Sequence, residues 1–231
     1  MARVLVIGDT HAPCMLDGYV EFLQEMADVW NIDRVVHIGD LVDWASISYH
    51  PKAPSLKNSE EEFSEALAQV QRLSSAFPVA DWLIGNHDSL TERQATDLGL
   101  PLQVLRSYTD LWQLPDWVVT PRFGTLEIDG VRYSHGETGR GGQAPAIAQA
   151  ADTFQSTVIG HFHAAAGVTY RANENARYFG MNVGCGVDYH RAAMQYGVKY
   201  PKKPVLGCGV VIDGTTAIFE PMPLTNRMGI L

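Results

Sequence analysis

Five short clusters of ligand-type residues follow one another along the chain. They are Asp9-x-His11, Gly39-Asp40-x-x-Asp43, Gly85-Asn86-His87-Asp88, Ser134-His135-Gly136 and Gly160-His161-x-His163. Each comes just after an apolar run with the pattern of a β-strand, so the strands are expected to carry all five to one edge of a sheet. A structural core has no use for so many imidazoles and carboxylates together; two adjacent metal ions do. Imidazole nitrogen mixed with carboxylate and amide oxygen suits Mn²⁺, Fe or Zn²⁺. It does not suit a thiolate zinc site or an all-oxygen Ca²⁺ site.

Spacing within the clusters divides the work. Asp9 and His11 are alternate residues past a strand, so they point the same way and can chelate one ion. His161 and His163 repeat that arrangement. Asp40, at the end of the second strand, can bridge two cations through its two oxygens, holding them about 3.5–4 Å apart. Gly39 and Gly85 fit tight turns. Asn86 offers a neutral oxygen to a site already crowded with negative charge. His87, its neighbour, is too constrained to share that ion and is better placed over a substrate as general acid. Asp88 or Asp43 would hold its ring and keep it protonated.

Several elements must position these groups. Val4 to Ile7 reads as a strand buried on both faces. Tyr19, Phe22, Leu23, Met26, Ala27 and Trp30 fall at helical spacing, which predicts a helix over 17–30. Arg34 to Ile38 is the next strand, parallel to the first through a right-handed crossover. Ser59 and Glu62 form a capping-box pattern ahead of a helix that ends near Ala76, and Val79 to Ile84 is the third strand. The segment 46–58, with Pro51 and Pro54, is an irregular loop placed to form a rim of the site. A helix is expected near 91–98, and the stretch holding Trp112, Pro115, Trp117 and Pro121 gives only weak signals. Beyond it the pattern turns to strands at 124–128 and 131–134, with Asp129-Gly130 as a hairpin turn. A helix at 143–151 leads to strands at 156–159, 166–171, 177–183, 206–213 and 215–220, the last two joined at Asp213-Gly214.

With 231 residues and no repeat, low-complexity tract or linker, the sequence reads as a single domain spanning 1–231. A composition 46% hydrophobic and 19% charged is globular, and a net charge of −9 argues against a broad basic surface for duplex DNA or anionic membranes. Cys14, Cys185 and Cys208 lack zinc-type spacing and read as reduced, partly buried thiols. Val4 to Ile7 is too short for a secretion signal, and no run approaches the roughly 20 apolar residues of a membrane span. The expected location is the cytoplasm.

Taken together, the five clusters resemble the calcineurin-like metallophosphoesterase superfamily: Asp-x-His, Gly-Asp-x-x-Asp, Gly-Asn-His-Asp, a histidine, then Gly-His-x-His, over residues 9 to 163. The resemblance implies an α/β fold, a four-layer α/β/β/α sandwich with mixed sheets and a dinuclear centre at the C-terminal strand ends. It implies Asp9, His11 and His163 on one metal, Asn86, His135 and His161 on the other, and Asp40 between them. His87 is similar to the family's catalytic histidine, and Asp43 stands behind the ligands. The implied reaction is in-line attack on phosphorus by a metal-bridging hydroxide with His87 as general acid, the cations being two divalent ions, Mn²⁺ first.

The departures from family subpatterns bear on the ester. Phosphoprotein phosphatases that resemble this pattern continue the second motif with an arginine that clamps a phosphate dianion; here Trp44 and Ala45 follow Asp43. Loss of that fork matters most for a monoester, so hydrolysis of a phosphodiester, of nucleotide or nucleic-acid type, is the expectation. Trp44 either offers a stacking surface at the edge of the site or packs in the core. The glycine-rich loop 136–142 either carries Arg140 to a phosphate or merely connects. Arg93 either contacts substrate or lies on a solvated helix face. Tyr49, Trp112 and Trp117 read better as packing than as pocket walls. The alternatives are a phosphomonoesterase, including a protein phosphatase, and a non-catalytic interaction module on the same fold. The intact set of ligand-type residues argues against that module.

Overall fold

The computed structural model describes residues 1–50, 56, 58–191 and 201–223. Strand β1 (Arg3–Ile7) sends Leu5 and Ile7 to one face and Val4 and Val6 to the other, as period-two geometry requires. Helix α1 (Tyr19–Trp30) buries Tyr19, Val20, Phe22 and Leu23. It ends at Asn31, whose φ of 49° lets its N–H reach the carbonyls of Ala27 and Asp28. Strand β2 (Arg34–His37) then lies parallel to β1.

Helix α2 (Ser59–Ala76) starts one residue earlier than its capping-box pattern indicates. Asn58 is the N-cap, and its side-chain oxygen accepts from the N–H groups of Glu60 and Glu61, both at 3.0 Å. Glu62 is therefore free of capping. It is buried and instead accepts from the N–H groups of Ala45 (2.6 Å) and Ser46 (2.9 Å). Strand β3 (Ala80–Leu83) and helix α3 (Leu90–Asp97) follow. The Trp- and Pro-rich segment becomes helix α4 (Tyr108–Trp112) and strand β4 (Trp117–Thr120), which local pattern did not reveal.

The second half is mostly sheet: β5 (Leu126–Ile128), β6 (Val131–Ser134), helix α5 (Pro145–Thr153), β7 (Thr157–Ile159), β8 (Ala166–Ala172), β9 (Arg177–Val183), β10 (Gly207–Ile212) and β11 (Thr216–Pro221). Both expected hairpin turns form with left-handed pairs, Asp129 and Gly130 at φ 50° and 75°, Asp213 and Gly214 at 51° and 67°.

One sheet has the order β11-β10-β1-β2-β3-β4, the other β5-β6-β7-β9-β8. The expectation of a single sheet edge is thus corrected. The first three ligand clusters follow β1, β2 and β3 in one sheet, and the last two follow β6 and β7 in the other. The sheets face each other through Val4, Val6, Val36, Ile38 and Leu83 on one side and Tyr133, Val158, Phe179, Met181 and Val183 on the other. Helices α1 and α2 cover the outer face of the first sheet over Leu5, Ile7 and Trp82, and α5 covers β7 and β9 of the second. This is the expected four-layer α/β/β/α arrangement, with parallel strands delivering their C-terminal ends to one place. Residues 51–55 and 57 of the expected rim loop lie outside the described residues. Among the described residues, no helix is long and apolar enough to cross a membrane.

Candidate metal centre

Where the two sheets' strand ends meet, the side chains of the five clusters converge into two groups. Asp9, His11 and His163 form one, and Asp40, His135 and His161 the other, each with its donor atoms within 4.8 Å of one another. In the first, His163 Nε2 lies 2.9 Å from Asp9 Oδ2 and 3.2 Å from His11 Nε2. In the second, His135 Nε2 lies 3.2 Å from Asp40 Oδ2 and 3.1 Å from the side-chain oxygen of Asn86. Asp40 stands between the groups. Its Oδ1 accepts from the His87 backbone N–H at 2.7 Å, which leaves Oδ2 facing both His135 and His11, the latter at 3.6 Å.

Two of these imidazoles are tethered at their opposite edges. His11 Nδ1 lies 2.7 Å from Asp43 Oδ1, and His135 Nδ1 lies 3.1 Å from the carbonyl oxygen of Ile38. Rings fixed at Nδ1 with Nε2 turned inward are the arrangement that metal-binding histidines need. The donor set therefore fits divalent cations on both sides of Asp40. A third cluster, His11, Asp43 and His87, is accounted for differently. Its contacts to Asp43 Oδ1 are made by the outward Nδ1 atoms, so Asp43 acts as a buried anchor for two rings.

Backbone geometry shows the cost of this convergence. His11, Asp40, Trp44 and His161 all have left-handed φ, between 46° and 66°. Non-glycine residues there are strained, and such strain concentrates at functional sites. The glycines have separate reasons. Gly39 has φ 115°, the tight turn its position suggests. Gly85 does not; a Cβ there would sit on Asp40 Oδ1, so its absence makes room for a carboxylate from the neighbouring motif.

Burial opposes charge throughout, and the outcome differs from group to group. For Asp40 and Asp9 burial is outweighed by the facing histidines, which hold both carboxyls below their ordinary values. Burial also opposes charge on His87, but Asp40 and Asp43 prevail and push its pKa up to about 10. His11 goes the other way, lowered by burial and by the nearby His87, and is a neutral donor. Burial, and next the charge of Asp40, raise Asp88 to about 7.

The calcineurin-like phosphoesterase family model matches residues 2–180. The chain belongs to this family. No curated protein matches it. Two solved structures that resemble this calcineurin-like phosphoesterase are a single-mutant Vps29 from Entamoeba histolytica and the phosphoesterase YfcE from E. coli. The first is 14% identical with a TM-score of 0.42, over 93% of this chain and 88% of that one. The second is 14% identical with a TM-score of 0.39, over 90% of this chain and 87% of that one.

Within this calcineurin-like centre, the structure sorts the remaining candidates. Asp43 holds the His87 ring, with its carbonyl oxygen 2.8 Å and its Oδ1 3.1 Å from Nδ1. Asp88 does not touch that ring, which corrects its place among the catalytic groups. Its oxygens accept from the N–H groups of Val42 (3.1 Å) and Gly85 (2.9 Å) and from the Trp82 indole (3.3 Å), so it braces the ligand-bearing turns from below. Trp44 is no platform at the edge. It is buried against Phe63 and Trp112, with ring centroids 6.1 and 5.5 Å away. Arg140 is exposed and pairs with Asp152 at 2.6 Å rather than facing the centre. Arg93 is half-buried, reaching the Asn86 carbonyl at 3.4 Å and covering the ring of Tyr49.

A cleft of about 550 Å³ opens over the centre, lined by His11, Asp40, Asn86, His87, His161 and His163. His50, Gln143, Phe162 and Lys202 also line it, and none of them stood out as a site residue in the sequence. Phe162 was within reach, since it lies between the two histidines of the last motif. His50 and Lys202 come from loops whose course no periodicity encodes. His37 also went unnoticed; it is buried one strand deep beneath the site, with its ring 3.1 Å from the Thr10 hydroxyl.

Proposed function

We propose that this calcineurin-like phosphoesterase hydrolyses phosphodiesters of nucleotide or nucleic-acid type, using two divalent cations, Mn²⁺ foremost. The observation that carries this reading is Asp40 Oδ2, which faces a histidine of each donor group while Oδ1 is tied to the His87 backbone. Asp9, His11 and His163 would hold one cation, and Asn86, His135 and His161 the other. When bound, the cations supply Lewis acidity to the phosphoryl oxygens and an activated water.

The remaining chemistry belongs to the chain itself. His87, fixed at Nδ1 by Asp43, turns its Nε2 toward the cleft that it lines. The two carboxylates that raise its pKa keep it protonated near neutrality, so Nε2 can pass a proton to the departing ester oxygen. Asp43 stays ionised, held down to about 2, and stabilises the imidazolium before transfer.

Preference for a diester follows from what faces the phosphate. Among the described residues lining the cleft there is no arginine, so no bidentate fork meets the extra charge of a monoester dianion. Lys202, on the cleft wall, is the feature that favours the monoester alternative, as a single mobile charge. The interaction-module alternative lacks support, because the donor set and His87 are all in place. Steady-state kinetics with Mn²⁺ on bis-p-nitrophenyl phosphate and p-nitrophenyl phosphate test the reading. Diester turnover is expected, and a clear monoester preference overturns it.

A further inference from the structure

A second cleft, of about 490 Å³, lies beside the first and is lined by Tyr49, Arg93, Arg122, Phe123, Glu92 and Asp97, among others. The two clefts adjoin at two points in the chain. Tyr49 lines the second cleft while His50 lines the first. Asn86 lines the first, and its carbonyl accepts from Ser89 (3.2 Å) and Arg93 (3.4 Å) of the second. Arg122 of the second is gripped by Glu137, two residues past His135, through bonds of 2.9 and 2.5 Å. A molecule reacting over the metal centre would therefore have the second cleft next to it.

The walls of this cleft carry a repeated device. Each of its two aromatic rings is covered by a guanidinium, Arg93 lying 4.8 Å from the Tyr49 ring centre and Arg122 lying 4.5 Å from that of Phe123. Trp44, Trp82, Trp112 and Trp117 are buried, while outside this cleft Phe154 and Tyr170 are exposed, the latter under Arg177. Tyr49 and Phe123 remain 52% and 62% exposed, and the two line the same cleft. An arginine over an aromatic face makes one broad flat surface that is apolar and polarisable yet edged with donors. Charge in the cleft is mixed: Arg93 and Arg122 stand with Glu92 and Asp97. Arg122 is already paired with Glu137 and Asp97 accepts from the Tyr49 hydroxyl, so the cleft offers donors and acceptors without selecting an anion. A flat, uncharged group with mixed hydrogen-bonding edges matches this lining, and a nucleobase is such a group.

We propose that the second cleft is a nucleobase subsite, stacking one base of a nucleotide diester between the Tyr49 and Phe123 walls while its phosphate lies over the metal centre. The proposal rests on the phosphodiesterase reading for its alignment with the reaction, but base binding itself does not require turnover. Two readouts separate the two. With Mn²⁺, kcat/KM for thymidine 5′-(p-nitrophenyl phosphate) should exceed that for methyl p-nitrophenyl phosphate by tenfold or more. Tyr49→Ala and Phe123→Ala, both at exposed positions, should each cut that ratio at least fivefold while leaving the methyl ester within twofold. In chelator, thymidine 5′-monophosphate should bind the wild-type protein by calorimetry and bind the double variant at least fivefold more weakly, with methyl phosphate unaffected. If neither ester is hydrolysed but the chelated protein shows this binding pattern, the subsite stands and the diesterase reading falls. Equal ratios in wild type and variants, or equal nucleotide binding with and without the two rings, overturn the subsite.

Discussion

Asp43 holds His87 at one nitrogen from two directions: its backbone carbonyl is 2.8 Å and its carboxylate 3.1 Å from Nδ1. The same carboxylate oxygen lies 2.7 Å from His11 Nδ1, so one buried side chain orients both a candidate ligand and the candidate acid. Asp43→Asn keeps the shape and removes the charge. It is expected to lower Mn²⁺ affinity by about 10- to 100-fold, the usual loss when a partner behind a ligand is changed. Turnover at saturating Mn²⁺ should fall as well, because the imidazolium of His87 loses its counter-charge. Metal titration by calorimetry alongside saturating kinetics checks both. Unchanged affinity would show that Asp43 does not act through His11.

Binding and chemistry should separate at His87 and Asp40. His87→Ala removes no donor from either convergent group around Asp40, so metal content should persist while turnover slows about 10²–10⁴-fold, the range for a lost general acid. Asp40→Ala removes a carboxylate that faces both groups, and occupancy should collapse. Elemental analysis of both variants, purified in parallel, distinguishes them. Similar metal loss in each would refute the division of roles.

Trp44 carries a prediction about stability rather than specificity. Buried against Phe63 and Trp112, it contributes core packing, and Trp44→Ala should cost about 3–5 kcal/mol of unfolding free energy. Trp44→Arg would bury a charge in that cluster and should impair folding rather than supply a phosphate clamp. Urea denaturation of the alanine variant is the measurement. A loss below 1 kcal/mol would mean that the ring can leave the core.

Much of this was readable in the chain because chemistry and topology point the same way. An ending strand fixes where Asp9, Asp40 and Asn86 emerge, and alternation fixes which neighbour shares their direction. What stayed hidden depends on tertiary packing. Nothing local tells whether Trp44 turns outward or inward; the left-handed backbone at that residue, φ 52°, sets its course, and Glu62 braces the turn that follows through Ala45 and Ser46. Asp88 likewise looks as reactive as Asp43 in sequence. Only the fold shows that its oxygens are spent on the N–H groups of Val42, Trp82 and Gly85. Strand β4 and helix α4 were missed because their aromatic residues are held by contacts from distant elements, such as the Trp117 indole on the Phe77 carbonyl at 3.0 Å.

His37 makes acid sensitivity a property of the scaffold. It is fully buried beside Thr10, and burial drives its pKa down to about 3. An unfolded chain would protonate the same ring near 6.5. Between those values the unfolded state binds a proton that the folded state refuses, so stability falls as pH drops from about 6.5 toward 3 and is fully present above that window. From pH 7 to pH 5 this one group should remove about 2 kcal/mol. His37→Gln retains a partner for the Thr10 hydroxyl and cannot titrate, so it should lose that much less stability than wild type across the same interval. Urea unfolding of both proteins in chelator, at pH 7 and pH 5, gives the difference directly. Parallel losses in the two proteins would show that His37 becomes protonated without unfolding, through an opening of β2 that the buried strand does not otherwise suggest.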